Sequence, residues 1–382
     1  GYEMLAQTHK AGVTWLRVRP WRECSACPCC GGGRLRSKGR YERCVRHLDC
    51  FGKPTRLQVV MHRWRCLDCG RTFVPPLPGI KGGRHSSEPF RAEVYQRHHD
   101  GACGTTTAAR RGVSASTVER IYREHTDRKA RERQRLECPA YLGIDEHVLH
   151  RGKRYVTTFC DLKNHKIFDL AHGRSASELA EFLAQLVGRE KVKVICIDLC
   201  SAYRSMIRQW FPNAKIVADR FHAVRIVMQH FCELATEIAP EIKGRRGGLR
   251  VLRKRPENLT ERQRERLEAL LERHPALRPL YEKMRAICDL LNLKTQSAKS
   301  CRKHARRLLA HIEELRRSGF ARLDTLAKTL QSWLEPLARM WRFAKNNGIT
   351  EGFHRKMKLI QRRAYGFRNF HNYRLRVIAQ CG

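Results

Sequence analysis

The stretch that decides the fold is "YLGIDEHVLHRGKRYVTTFCDLKNHKIFDLAHG", residues 141–173. It contains three apolar runs with short polar connections, at Tyr141–Leu149, Arg154–Asp161 and His165–Leu170. Runs of this length and composition predict strands, and connections this short join antiparallel neighbours. We therefore expect an antiparallel meander.

A helix and two further strands follow the meander. Ser175 and Glu178 form a capping-box pattern at the start of the amphipathic helix "ASELAEFLAQLV". "KVKVICIDLCSAY" contains a nearly continuous apolar strand, typical of a strand covered on both faces, and "AKIVADRFH" contains a fifth strand. The helical crossover makes the fourth strand parallel to a strand of the meander. This order predicts a ribonuclease H-like fold, in which the first and fourth strands are neighbours.

Two aspartates follow apolar runs on those two strands. Asp145 follows "LGI" within the first strand, and Asp198 follows "ICI" at the end of the fourth. Taken singly, Asp145 would be a solvent-facing strand residue and Asp198 part of a turn. Neighbouring carboxylates repel each other unless a divalent cation lies between them. Together the two residues predict a metal site.

A third carboxylate, Glu351, is the single acidic residue from Pro336 to the last residue, among eleven Lys and Arg. It lies near the start of a predicted helix, after a break at Asn347-Gly348 and a candidate cap at Thr350. Glu351 is either a helix-start residue favoured by the helix dipole or a metal ligand. Two Asp and one Glu can hold two Mg²⁺ or Mn²⁺ ions, which activate a water or 3′-hydroxyl and stabilise a leaving oxygen.

Basic residues follow Glu351 on the same predicted helix. His354 lies one turn and Lys358 two turns after it, so either could hold a phosphate beside the metals. Further residues of this segment are expected to contact the DNA backbone: Arg355, Arg362 and Arg363.

The charge of the chain indicates its partner. Its 382 residues carry a formal net charge of +40, with Lys and Arg spread along the whole length. Such an excess repels itself and requires a polyanion, which favours an extended nucleic-acid footprint. No run of 18 apolar residues occurs, so we expect no membrane partner.

The cysteines predict a zinc ribbon. Two C-x-x-C knuckles, each followed by Gly, offer four thiolates for a structural Zn²⁺: Cys27, Cys30, Cys66 and Cys69. Four other cysteines could replace a member of this set: Cys24, Cys29, Cys44 and Cys50. "RLQVVMHRWRC" predicts a strand leading into the second knuckle, and "VPPLPGIKGG" predicts a linker after the ribbon.

A helix-turn-helix pattern follows the ribbon. Ala108, Gly112 and Val118 stand at offsets 0, 4 and 10, which suit a small contact residue, a turn and a packing residue. Ser116 and Glu119 form a capping-box pattern for the second helix. An ordinary helical hairpin has the same signature, but the basic context favours DNA binding. The residues expected to face DNA are Thr117, Arg120 and Arg123.

The domain boundaries follow from these motifs. We predict a zinc ribbon at 1–85, a helix-turn-helix at 88–135, the first part of the catalytic core at 139–222, a helical insertion at 223–345, and C-terminal helices carrying Glu351 at 346–382.

Beyond these inferences, the chain resembles bacterial insertion-sequence DDE transposases of the ISL-three family. The resemblance is carried by "YLGIDEHV", "YVTTFCDL", "ICIDLCSAY", "NAKIVADRFHAV" and "NNGITEGFHRKMKLIQRRAYGFRNFHNYRLRVI", and by "CPCCG" and "WRCLDCGRTF". It spans nearly the whole chain and is loosest over residues 240–335. By resemblance, the catalytic triad falls on Asp145, Asp198 and Glu351, and "DRFH" places Asp219 and His222 near it in a supporting role.

The resemblance implies a Mg²⁺-dependent enzyme that binds the inverted ends of its own element and acts on double-stranded DNA. Hydrolysis would free a 3′-hydroxyl, which would attack target DNA by transesterification. A homodimer or larger homo-oligomer, in the bacterial cytoplasm and on the nucleoid, is also implied. Two other classes are a catalytically inactive, domesticated DNA-binding protein or repressor and a structure-specific nuclease of the same fold. The intact carboxylates argue against the first, and the end-binding modules argue against the second.

Overall fold

The computed structural model describes residues 1–21, 24–133, 136–150, 154–243, 248–343 and 348–382. The chain divides into two compact units, residues 1–130 with 363–366 and residues 131–362 with 367–382. The described residues form ten strands and fourteen α-helices, a mixed α/β architecture. None of these helices has the length and apolarity needed to cross a membrane. The five-segment domain scheme is finer than this division and stays a prediction.

A five-stranded sheet forms the first part of unit one. Its strands run in the order β1-β2-β4-β3, with β5 paired to β4. Their bounds are β1 Tyr2–Lys10, β2 Val13–Pro20, β3 Leu35–Cys50, β4 Lys53–Cys66 and β5 Thr72–Phe73. The predicted strand before the second knuckle is therefore confirmed. The linker prediction is wrong, because Leu77 and Ile80 from that stretch are buried in one cluster with Val45 and Val59.

Three helices complete unit one: α1 Glu88–His99, α2 Gly104–Arg111 and α3 Ala115–Arg133. Ala108 and Val118 share a buried cluster, and Gly112 ends α2 in the left-handed region at φ 58°. Only glycine adopts that backbone without a steric cost. The capping box predicted at Ser116 is wrong, because the Ser114 hydroxyl accepts from the Thr117 N–H at 3.2 Å and α3 begins before Ser116.

The sheet of unit two has the strand order β10-β9-β6-β7-β8. Its strands are β6 Tyr141–His150, β7 Arg154–Asp161, β8 Lys166–His172, β9 Val194–Ile197 and β10 Lys215–Ala218. β6, β7 and β8 form the expected antiparallel meander, and β9 pairs parallel to β6 as the crossover predicts. β10 extends the parallel half beside β9.

Helices cover both faces of this sheet. The helices are α4 Ala176–Gln185, α5 Ser201–Trp210, α6 Arg220–Ile238, α7 Leu249–Arg253, α8 Glu261–Arg273, α9 Leu277–Asn292, α10 Ala298–Arg317, α11 Ala321–Ser332, α12 Leu334–Arg342, α13 Gly348–Arg363 and α14 Phe370–Cys381. One face packs with α4 to α6 and α9 to α12 in a single large core. The opposite face packs against α13 and α14 through residues such as Met357 and Tyr373. The region predicted as an insertion thus shares the core of the sheet.

Candidate active site

Asp145 and Asp198 occupy equivalent positions on neighbouring parallel strands. Gly143 of β6 pairs with Cys196 of β9, and each aspartate lies two residues beyond its member of that pair. Residues two apart on a strand share a face, and Cys196 packs in the cluster beneath α13 and α14. The structure therefore brings the two predicted aspartates together at one level of the sheet.

Asp219 extends this row by one strand. It directly follows β10, whose Ala218 pairs with Ile197, and its backbone N–H donates to the Ile197 carbonyl at 2.7 Å. Asp219 also begins α6, where its buried carboxylate accepts from the His222 N–H at 3.4 Å. Three aspartates thus stand at one level of the sheet, Asp145 within β6 and Asp198 and Asp219 directly after β9 and β10.

Burial and charge both act on Asp145. Burial raises the pKa of this carboxyl to about 7, and repulsion from Asp198 adds to the rise. The backbone N–H of Glu146 donates to Asp145 Oδ1 at 2.8 Å and opposes it. A carboxyl with so high a pKa ionises fully near neutral pH only when a cation approaches.

His222 bridges the other two aspartates. Its Nδ1 lies 2.7 Å from Asp198 Oδ1 and 2.7 Å from Asp219 Oδ2. One N–H cannot donate fully to both oxygens, so the two carboxylates share the proton of His222. Burial favours the neutral imidazole, but the hydrogen bonds to the two carboxylates outweigh it and raise the pKa of His222 to about 9.

Arg220 fixes the turn that carries Asp219 and His222. Its buried guanidinium donates to the carbonyls of Leu291 at 3.2 Å, Leu293 at 3.1 Å and Met340 at 2.8 Å. These carbonyls lie at the C-terminal ends of α9 and α12, where helix carbonyls lack partners of their own. The helical region therefore holds the first turn of α6 in place.

His354 reaches Asp145 from α13. Its Nδ1 lies 3.5 Å from Asp145 Oδ2, and its Nε2 lies 3.2 Å from Thr158 Oγ1. Burial, with the nearby charge of Lys358, lowers the pKa of His354 to about 4, so the ring is neutral. His354 is therefore on the buried side of its helix.

Glu351 lies one turn before His354, but the structure does not gather it with the aspartates. Its side chain is 51% exposed, and its Oε1 lies 3.4 Å from a guanidinium nitrogen of Arg355. Thr350 is fully buried inside α13, so the cap predicted there is wrong. Of the break predicted at Asn347-Gly348, Asn347 lies outside the described residues. Lys358, Arg355, Arg362 and Arg363 are all exposed.

The donor set at the aspartates fits a divalent cation. Ligand atoms of Asp198, Asp219 and His222 lie within 4.8 Å of one another. Carboxylate oxygens suit Mg²⁺ and Mn²⁺, and imidazole is also a ligand of transition metals such as Mn²⁺. A cation bound here would take the oxygens of Asp198 and Asp219 that His222 contacts.

The four cysteines of the predicted knuckles form a second cluster. The sulphurs of Cys27 and Cys69 lie 3.7 Å apart, those of Cys30 and Cys66 lie 3.6 Å apart, and all four lie within 4.8 Å of one another. Four thiolates at this spacing suit tetrahedral zinc without an open position. Among the residues that the structure describes, this cluster does not include the four alternative cysteines, Cys24, Cys29, Cys44 and Cys50.

The two knuckles share one backbone design. The Gly31 and Gly70 N–H groups donate to the carbonyls of Cys27 and Cys66, at 2.9 and 3.0 Å. Both glycines lie in the left-handed region, at φ 74° and 72°. Each knuckle is therefore a tight turn that brings its two cysteine sulphurs close together.

The predicted DNA-facing residues of α3 lie away from its core. Arg120 and Arg123 are exposed and Thr117 is half-buried, whereas Val118, Ile121 and Tyr122 are buried. The arrangement leaves two guanidinium groups on the outer side of the helix.

Sequence patterns did not single out His147 and Thr158, which contact His354, or Tyr373, which contacts His147, as site residues. Thr158 is the cross-strand partner of Asp145, and His147 lies two residues after Asp145 on the same face. Strand parity would have placed His147 beside the site. Tyr373 arrives through the packing of α14 and had no local signal.

Comparison with known proteins gives three findings. A family model for an ISL-three DDE transposase, described as "Transposase", matches residues 142–377. A model described as "zinc-finger of transposase IS204/IS1001/IS1096/IS1165" matches residues 24–69. The chain is 27% identical to the "Transposase for insertion sequence element IS1001" of Bordetella parapertussis in an alignment over 385 residues. The alignment covers 95% of this chain and 90% of that protein.

Proposed function

The chain belongs to the ISL-three family of DDE transposases, and we propose that it cuts the ends of its own insertion sequence and joins them to target DNA. The observation that carries this proposal is the row of aspartates at one level of neighbouring parallel strands, Asp145, Asp198 and Asp219. The strand order and the antiparallel meander support a ribonuclease H-like catalytic core.

We assign metal binding to Asp145 and Asp198, with Glu351 as the third carboxylate. Bound Mg²⁺ or Mn²⁺ would activate the attacking oxygen and stabilise the leaving oxygen of a phosphodiester. Glu351 would join the aspartates through movement of the first turn of α13, exchanging its contact with Arg355 for the metal site. Asp219 and His222 would set the charge beside Asp198, and we assign contact with a phosphate to the exposed Lys358. His354 is buried, and we assign it to contact with the Asp145 carboxylate rather than with a phosphate.

DNA recognition is assigned to unit one. A zinc ribbon with 17 Lys and Arg against 5 acidic residues up to residue 87 offers phosphate contacts. We propose that α2 and α3 act as a helix-turn-helix and that Arg120 and Arg123 lie along the DNA groove, with Thr117 beside them. We also propose that a dimer or larger assembly binds the two ends of the element on the nucleoid.

The test is cleavage and joining of a labelled duplex that carries the element's own end, in Mg²⁺ or Mn²⁺. The parent is compared with Glu351→Gln and with the matched control Glu335→Gln. Glu335 is 67% exposed and pairs with Arg339 four residues later, as Glu351 pairs with Arg355. The proposal predicts DNA binding by all three proteins and cutting only by the parent and Glu335→Gln. Binding without cutting by the parent would refute it and leave a DNA-binding protein or repressor.

A further inference from the structure

Four side chains form a buried polar chain that ends at Asp145. Tyr373 Oη lies 2.9 Å from His147 Nε2, and His147 Nδ1 lies 3.3 Å from Thr158 Oγ1. Thr158 Oγ1 lies 3.2 Å from His354 Nε2, and His354 Nδ1 lies 3.5 Å from Asp145 Oδ2. All four side chains belong to residues at most 9% exposed.

The four members of this polar chain come from four separate elements of unit two. Thr158 lies opposite Asp145 on β7, His147 lies on β6, and His354 and Tyr373 come from α13 and α14. The rings of His147 and His354 also pack against each other, with centroids 4.9 Å apart. The four side chains are buried beside an apolar cluster, so their polar atoms need partners within the protein.

Assigning the hydrogens shows that every donor of the polar chain faces the next member toward Asp145. An ionised Asp145 only accepts, so His354 donates from Nδ1 and must accept at Nε2. Thr158 then donates to His354 and accepts from His147 Nδ1. His147 is left to accept at Nε2, where the Tyr373 hydroxyl donates. His147, Thr158 and His354 each donate once and accept once, and Tyr373 stands at the start of the series as a donor.

We propose that Tyr373, His147, Thr158 and His354 are positioning residues that hold the Asp145 carboxylate in the orientation needed to bind metal. The inference rests on the proposed function of Asp145 as a metal ligand. A hydrogen bond to one carboxylate oxygen turns the other toward the ion, as partners of metal ligands do in other sites. The 3.5 Å contact is long, as such contacts commonly are before the substrate complex forms.

Substitution of His354 separates positioning from packing. Asparagine places its amide near Nδ1 and keeps a donor for Asp145, whereas glutamine places its amide near Nε2 and alanine keeps neither. We expect Mn²⁺ affinity, measured by electron paramagnetic resonance on the full chain, to fall about tenfold or more in His354→Ala and His354→Gln. His354→Asn should stay close to the parent, and DNA binding should be unchanged in all three.

Thr158→Val and Thr158→Ser form a second pair that keeps the shape of the side chain. The valine variant removes the hydroxyl that links His147 to His354 and should lose Mn²⁺ affinity. The serine variant keeps the hydroxyl and should retain that affinity. The inference is overturned if His354→Gln and Thr158→Val bind Mn²⁺ as the parent does, or if all variants lose affinity equally. A parent that binds no Mn²⁺ would overturn the proposed metal site itself, which separates the two failures.

Discussion

Binding of Mn²⁺ at the aspartates should strengthen steeply as the pH rises. His222 holds a proton between Asp198 and Asp219, because two carboxylates outweigh its burial and raise its pKa to about 9. A cation that takes the same carboxylates must displace this imidazolium or its proton. Affinity therefore increases with pH until the proton is gone, the usual direction for ligands that must lose protons.

The size of the effect follows from the pKa values. Below pH 9 each pH unit makes the His222 proton about tenfold harder to remove, or about 1.4 kcal/mol per unit. At pH 8 the expected loss of affinity is about tenfold, and at pH 7 about a hundredfold. Below pH 7 the slope should steepen, because burial and Asp198 raise the pKa of Asp145 to about 7 and a second proton must leave.

Isothermal titration of Mn²⁺ into zinc-loaded protein from pH 6.5 to 8.5 measures this slope. His222→Gln removes the titrating ring but keeps a neutral hydrogen-bonding group, so its affinity should be nearly flat above pH 7.5. Proton release, measured in buffers of different ionisation enthalpy, should be near one per ion for the parent at pH 8. A parent affinity that does not change between pH 7 and 8.5 would refute this view of His222.

Three further predictions concern other parts of the chain. Cys66→Ser should release the zinc and lower the thermal stability of unit one; retention of one equivalent of zinc by atomic absorption would contradict the ligand set. Arg120→Ala should weaken binding of the element's end and lessen its dependence on salt by roughly one phosphate contact, read as the slope of log affinity against log salt; an unchanged slope would exclude a phosphate contact. Arg220→Met should lower the free energy of unfolding by about 3 kcal/mol in urea denaturation, since three buried helix-end carbonyls lose a charged donor; a change below about 0.5 kcal/mol would show that the carbonyls find other partners.

The catalytic sheet was predictable because its signals are local. Each strand of the meander shows its own apolar run, and the crossover helix carries its own capping box, Ser175 with Glu178. Parallel pairing of the first and fourth strands followed from chain topology alone. The same rule brought Asp145 and Asp198 together, as the register at Gly143 and Cys196 bears out.

Failures occurred where tertiary packing overrides local composition. The Pro- and Gly-rich stretch after the ribbon looks like a linker, yet Leu77 and Ile80 bury themselves on the sheet. Helix α3 begins after Ser114 because that hydroxyl caps Thr117, although Ser116 and Glu119 have the standard spacing. The contact of Tyr373 with His147 depends on how α14 packs, which no short sequence pattern indicates.

The central claim is that Asp145 and Asp198 bind the metal ions that cut DNA. Asp198→Cys tests it most directly, because Mg²⁺ disfavours thiolate ligands and Mn²⁺ accepts them more readily. The account predicts that Asp198→Cys binds the element's end normally, fails to cut it in Mg²⁺ and regains cutting in Mn²⁺, while Asp198→Ala fails in both. Equal loss of cutting in both metals, with DNA binding intact, would contradict it.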